Sequence, residues 1–413
     1  MRALFLSNFY PPYGQGGYEM WCQEIVEGLH TKAHTVLVLT SRHAREQIKE
    51  PEPAWVRREL HLEMELKSLR NSIQFFTRRQ QHESENLACL RQLIADFQPD
   101  VVLIWGMWNL AHTLPVLAEQ LLPGRVVYYI GDYWPTLPSQ HELYWQAPAR
   151  DWTTHLPKQL LGFFARRRLM HAQRPVPQFG HVLFPTHFMR KALERLGMVA
   201  QHTSVIYGAA DTSHYASAAA NAIREPDTLA LLYAGRVTPD KGVHVAIEAV
   251  AQLVHQQGLH NLMLHIVGDG DADYGEQLRD LVRRHNLHPY VQFRRAQPKA
   301  KMPQLYAGSD IFLFTSIWQE PFGRVLIEAM AAGAVVVGSP TGGAAEILVD
   351  GENALTFPPG DATALASQIK RLADDPALRR HLAVGGRQRA LERFDTARMT
   401  AEIEAYLQGI VDQ

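Results

Sequence analysis

The chain has 413 residues, with 41 Lys+Arg against 42 Asp+Glu and a net charge of −1. That length suits two domains of ordinary size, and the balanced charge excludes a general attraction to nucleic acid. Cys22 and Cys89 are the only cysteines, which excludes a disulfide scaffold and a cysteine-based zinc site.

The opening residues, MRALFLSN, alternate like a strand and lack the long apolar core of a secretion signal. The most apolar run, VVLIWGMW from Val101, falls far short of the roughly 20 residues that span a bilayer. Together these imply a cytoplasmic protein, touching at most the inner face of a membrane. RALFLSN, HTVLVLTS, VVLIWG, RVVYYIGD and HVLFPT are the predicted strands of the first half. In the first predicted helix Trp21, Cys22, Ile25, Val26 and Leu29 gather on one face. A polar, helical insertion is expected near residues 43–97, and an aromatic stretch near 133–180. Tyr10, Tyr13, Tyr18, Trp105, Trp108, Tyr133, Trp134, Tyr144 and Trp145 crowd this half; they suit either a core or the faces of sugar rings. LLGFFARRRLM from Leu160 and SIQFFTRRQ from Ser72 mix apolar with basic residues. Each is either a packed helix with a basic outer face or a surface resting on an anionic membrane.

A hinge is expected at 207–227, where small and polar residues dominate. The second half then alternates strand (LALLYAGR, LMLHIVGDG, VQFRR, IFLFTS, AVVVGSP) with amphipathic helix. Short, apolar and often β-branched strands of this kind belong in a parallel sheet buried on both faces. The expected organisation is therefore α/β, with domains at 1–206 and 228–394. A last helix, at 395–413, can return to the first domain.

The segment richest in chemistry is TSIWQEPFGRVLIEAMAAGAVVVGSPTGGAAE, from Thr315 to Glu346. Glu320 sits in the turn after a strand, and Pro321-Phe322-Gly323 leads into a helix beginning Arg324-Val325. A helix start with unpaired N–H groups suits a phosphate. Glu328, five residues beyond Gly323, lies about 7.5 Å along the helix at 1.5 Å per residue, where a carboxylate can accept hydrogen bonds from ribose hydroxyls. Acid, N–H groups and acid thus match sugar, phosphate and ribose. Taken alone, either glutamate reads equally as a solvated helix-face residue.

EPFGRVLIEAM, followed by Gly342, Gly343 and Glu346, resembles the donor site of glycosyltransferase family 4. AGRVTPDKG, with Arg236 and Lys241, and SNFYPPYGQGGYE, with Gly16, Gly17 and Glu19, resemble further landmarks of that family. PTHFMRKALERLGM and VIYGAADTSHY resemble two more. The resemblance implies a GT-B fold, two Rossmann-like doubly wound parallel-sheet domains facing across a cleft. It implies transfer from a nucleotide diphosphate sugar with retention at the anomeric carbon. Glu320 would bind the transferred sugar, Glu328 the ribose, and Arg236 and Lys241 the diphosphate. Pro321, Phe322, Gly323, Arg324 and Val325 would border the donor, as would the backbone at Gly16, Gly17 and Gly268. No metal and no cofactor beyond the donor is implied, and the acceptor is a glycan, a lipid-linked glycan or a small molecule.

The chain departs from the family at Gly131-Asp132, where the resemblance calls for His-Asp. Asp132 is the titratable group left there, either an acceptor contact or a turn cap, and His112 and His141 are further candidates near the cleft. A dinucleotide fingerprint does not fit, since Glu19 stands where its third glycine belongs and the second strand ends in Thr40-Ser41. A nucleotide-sugar epimerase and a catalytically silent binding protein remain as alternative readings.

Overall fold

Each half of the chain folds on an all-parallel sheet. The computed structural model describes residues 1–12, 16–48, 51–65, 71–148, 152–170, 175–219 and 227–413; Tyr13 and residues 220–226 of the expected hinge lie outside them. The chain divides into a unit formed by Met1–Ile206 with Thr400–Gln413, and a second formed by Tyr207–Met399.

The first unit holds strands β1 (Arg2–Leu6), β2 (Thr35–Ser41), β3 (Val56–Leu60), β4 (Val101–Ile104), β5 (Val126–Tyr129), β6 (His181–Phe184) and β7 (His202–Val205). Its helices are α1 (Gly17–Thr31), α2 (Asn71–Thr77), α3 (Arg79–Phe97), α4 (Thr113–Leu121), α5 (Gln140–Gln146), α6 (Trp152–Met170) and α7 (His187–Arg195). The strand order is β3-β2-β1-β4-β5-β6-β7, with β1 paired in parallel to both β2 and β4. Trp21, Cys22, Ile25, Val26 and Leu29 form the buried face of α1, as their spacing requires.

β3 lies inside the segment expected to be helical. Its central inward position, between Val56 and Leu60, is Arg58, 4% exposed, so the hydrophobic alternation that marks a strand is interrupted there. Arg58 is matched by Glu52 at 2.8 Å and by the carbonyls of Tyr10 and Pro11 at 3.1 and 2.6 Å. A charge is tolerated in such a place only with partners of this kind.

The second unit holds β8 (Leu229–Ala234), β9 (Leu262–Val267), β10 (Val291–Arg294), β11 (Ile311–Phe314), β12 (Val335–Gly338) and β13 (Ala354–Thr356). Its helices are α8 (Thr212–Ala219), α9 (Val243–His255), α10 (Ala272–Arg284), α11 (Met302–Ala307), α12 (Arg324–Ala331), α13 (Ala362–Asp374) and α14 (Pro376–Arg393); α15 (Thr396–Val411) begins here and belongs to the first unit from Thr400 on. The order is β10-β9-β8-β11-β12-β13. Part of the expected hinge is the helix α8, whose Tyr215 is 2% exposed and meets the ring of Tyr306 edge-on. Within the first unit α15 is held by Glu404, which pairs with Lys32 and lies 2.7 Å from His34.

In each sheet the order reverses once, between β1 and β4 and between β8 and β11. Ligands of open α/β sheets bind beyond the carboxyl ends of the strands at such a switch point.

Candidate active site

At the switch point of the second sheet, the loops after β8 and β11 are tied together. Thr315 Oγ1 donates to the Lys241 carbonyl at 2.9 Å, and the N–H groups of Ile317 and Trp318 donate to the Asp240 carbonyl at 2.9 and 3.1 Å. This brings the Lys241 ammonium onto Glu320 Oε1. Ser316 Oγ donates to the same oxygen at 2.8 Å. The two charged side chains keep 16% and 12% of their surface, enough to meet a ligand from solvent.

The loop after β12 fixes the backbone of the same turn. Gly343 N–H donates to the Glu320 carbonyl at 2.6 Å, and Gly342 N–H to Gln319 Oε1 at 3.0 Å. Glu346, downstream in that loop, accepts from the Tyr207 hydroxyl at 3.0 Å.

Gly323 caps α12 with φ 114°, a conformation that favours glycine. Phe322 is 2% exposed and meets Phe394 edge-on, so it belongs to the core beneath the turn; Pro321 and Val325 are half-buried. One turn on, Glu328 Oε1 accepts from Arg324 Nε at 3.0 Å and Oε2 from the Tyr306 hydroxyl at 3.1 Å. Each carboxylate oxygen has a second lone pair free for a ligand hydroxyl. Arg236 is exposed and makes no ion pair among the described residues; its carbonyl accepts from the Tyr233 hydroxyl at 2.6 Å. Gly268 ends β9 where a Cβ would stand 1.8 Å from the Gly235 carbonyl oxygen, so the two strand ends touch through glycine alone.

The spacing Asp-x-Asp, often a metal clamp, occurs at Asp269-Gly270-Asp271 and Asp271-Ala272-Asp273. Asp271 is committed as the cap of α10, accepting from Tyr274 N–H at 2.8 Å. Among the described residues no three acidic, His or Cys side chains converge as a metal cage.

In the first unit Gly16 caps α1 and Gly17 opens it. Asp132 follows β5, half-buried, and its Oδ1 accepts from Trp134 N–H at 3.0 Å. Burial pushes its carboxyl up to about 6, partly countered by that N–H. Gly131 has a local cause. A Cβ there would lie 2.7 Å from the Tyr18 ring, which stacks on Trp105 at 5.6 Å. The Tyr18 hydroxyl donates to the Trp105 carbonyl at 3.1 Å and also reaches that of Tyr129. The ring thus fills the place where a side chain at 131 would project. Gly131→Ala is therefore expected to cost about 1–3 kcal/mol, since the neighbour is a ring pinned on both sides; a melting curve matching the wild type would refute this.

A cavity of about 500 Å³ opens at the ends of β3 and β4, with His112, His141, Arg79 and Glu63 among its lining. His141 is held down to about 3 by burial and by the Arg79 guanidinium, so it is neutral at pH 7. Trp105, Trp134, Trp145 and Tyr10 are core residues, whereas Tyr18, Trp108, Tyr133 and Tyr144 are half-buried.

Ser316, Thr315 and Tyr306, which hold the two glutamates and Lys241, carry no motif of their own. The place of Ser316 four residues before Glu320 was the only available sign.

Two family models match: Glycosyltransferase Family 4 over residues 15–214, and Glycosyl transferases group 1 over 218–389. Glycogen synthase of Mycobacterium tuberculosis is 33% identical over 189 residues, which are 45% of this chain and 44% of that protein. D-inositol 3-phosphate glycosyltransferase of Streptomyces bingchenggensis is 30% identical over 44% of this chain and 41% of its own length. The chain spans about half the length of the curated relatives it matches. Sucrose-phosphate synthase of Thermosynechococcus elongatus superposes with a TM-score of 0.72 at 20% identity, and HepE of Anabaena in complex with UDP with 0.68 at 22%. Coverage is 100% of both chains in the first case, and 99% of this chain and 100% of the other in the second. These likenesses establish the GT-B fold, and with the two family models, which together reach from residue 15 to 389, they show that the chain belongs to the family 4, group 1 glycosyltransferases.

Proposed function

We propose that the protein is a retaining hexosyltransferase that moves a sugar from a nucleoside diphosphate sugar to a glycan or lipid-linked acceptor. The observation that carries this is the Lys241–Glu320–Ser316 cluster at the switch point of the second sheet, beside the capped start of α12. Glu320 accepts hydrogen bonds from hydroxyls of the transferred sugar, and Glu328 from those of the ribose. Lys241 and Arg236 neutralise the diphosphate as it leaves, with the first N–H groups of α12 nearby. Lys241 lies on Glu320 before donor arrives, so phosphate oxygens replace part of that pairing rather than meeting a bare cation.

The acceptor attacks on the face from which the diphosphate departs, and the leaving phosphate takes its proton. No carboxylate nucleophile and no resident metal enter this sequence of events. Asp132 in the first unit accepts a hydrogen bond from an acceptor hydroxyl, and the cavity beside His112 and His141 holds the rest of the acceptor.

HepE was solved with UDP and with UDP-glucose, so UDP heads a panel with GDP, ADP and TDP. A ligand that binds only the folded state, supplied at about 100 times its Kd, adds about 2.7 kcal/mol. One nucleoside diphosphate is expected to raise the melting temperature clearly, and its sugar conjugate to be consumed only with acceptor present. Consumption without acceptor, yielding an isomerised donor, would instead establish the epimerase reading. No stabilisation at millimolar ligand by any of the four would overturn the donor assignment.

A further inference from the structure

Helix α6 is packed inside out. Between Lys158 and Leu169 its inward positions are the small Gly162 and Ala165, with Leu169 half-buried beside them, set at the spacing of one helical face. Ala165 and Leu169 join the cluster of Phe75 and Trp145. A Cβ on Gly162 would lie 3.6 Å from the Trp145 ring, and Arg166 donates to the Trp145 carbonyl at 3.1 Å. The large apolar side chains face the other way: Leu160, Phe163 and Phe164 are 68%, 59% and 63% exposed.

A helix of a water-soluble surface buries its large apolar residues and exposes its small ones. Here burying either phenylalanine would have been favourable, and the smaller residues take the inner face instead. In the companion segment at α2 the aromatic residues do turn inward, Phe75 buried and Phe76 half-buried against Trp145, with Ile73 left exposed.

The outward face also carries charge of one sign. Arg167 and Arg168 are exposed and follow Phe163 and Phe164 by four residues, one turn further on; Arg167 lies on the outward face and Arg168 on its flank, where it also borders the cavity beside His112 and His141. Neither makes an ion pair among the described residues. Aromatic rings beside a pair of arginines complement the headgroup region of an anionic bilayer, in which rings enter the acyl boundary while guanidinium groups stay with the phosphates. No helix among the described residues is long and apolar enough to cross a membrane, so the contact is made from one side.

We infer that the outer face of α6 seats the protein on an anionic lipid surface, with Phe163 and Phe164 inserted and Arg167 and Arg168 paired to lipid phosphates. Lipid binding is read without turnover, so the inference is tested apart from the transfer reaction even though Arg168 also borders the cavity assigned to the acceptor.

The test is co-flotation of the full chain with phosphatidylcholine vesicles, plain or carrying about 30 mol % phosphatidylglycerol, at about 50 mM and about 500 mM salt. Wild type is expected to float with the anionic vesicles at low salt and to leave them at high salt. F163S/F164S is expected to lose flotation; because both rings are exposed, its melting temperature should match the wild type. R167A/R168A is expected to bind anionic vesicles about twenty-five-fold more weakly, at about fivefold per arginine, and to lose most of the salt dependence. Failure of the wild type to float, or flotation of F163S/F164S equal to wild type, overturns the inference. So does self-association in light scattering that vanishes with F163S/F164S while vesicles capture nothing, since the face would then belong to a second copy of this chain.

Discussion

Glu320→Gln and Lys241→Ala are each expected to cut turnover by about 10²–10³-fold, the scale seen when one charge-stabilising group is removed from a preorganised site. Glutamine at 320 keeps an oxygen for the Ser316 hydroxyl, 2.8 Å away in the wild type, while losing the charge that holds Lys241. Alanine at 241 leaves Glu320 with Ser316 as its remaining partner. Breaking one side of a mostly buried pair can cost several kcal/mol. Here both side chains reach solvent at 16% and 12%, and the loops are tied by separate backbone bonds through Thr315 and Gly343. The stability cost should therefore stay near 1–2 kcal/mol, and the fold should survive.

A purely structural pair predicts the opposite pattern, a lower melting temperature with turnover per folded molecule unchanged. The double variant separates the two further. If both groups act on one transition state, the losses should be far from additive. Near-normal turnover in both single variants would sink the assignment of this site.

What the sequence discloses depends on whether a residue's neighbours are of its own kind. The buried parallel strands β8, β9, β11 and β12 are short, largely apolar runs of the kind a sheet covered on both faces requires. β3 escapes notice because Arg58 stands between its inward Val56 and Leu60, and β13 because three residues show no period. Lys241 and Glu320 stand 79 positions apart, and only the strand order β8-β11 makes them neighbours; motif spacing says nothing of that pairing. Gly131 reads in sequence as a loss. In the structure it is one half of an arrangement whose other half, the Tyr18 ring, lies more than a hundred residues earlier. The inverted face of α6 was invisible for a related reason. The sequence shows two phenylalanines followed by three arginines, whereas the turning inward of Gly162 and Ala165 instead is decided by Trp145 on a different helix.

Asp132→Asn is expected to raise stability at pH 7.5 while lowering activity. A carboxyl pushed up to about 6 in the folded chain holds its proton between roughly pH 4 and 6, where the unfolded chain has already released it. In that window the folded state binds more protons, so stability falls as pH rises. Above pH 6 the folded protein carries the full cost of a desolvated charge, on the order of 1–3 kcal/mol for a shift of about two units at a half-buried site. Asparagine keeps an oxygen for the Trp134 N–H and carries no charge, so the variant should melt higher at pH 7.5 and show a flatter stability profile between pH 4 and 6. If the ionised carboxylate also accepts a hydrogen bond from the acceptor, kcat/KM of the wild type should fall as pH drops through about 6, and that limb should be missing from a variant about 10²-fold slower. The two readouts separate cap from contact. A variant that is more stable and equally active would make Asp132 a turn cap that the fold tolerates at a cost. A variant that is more stable and slow would show a charge kept, against the interest of the fold, for what it does to the acceptor.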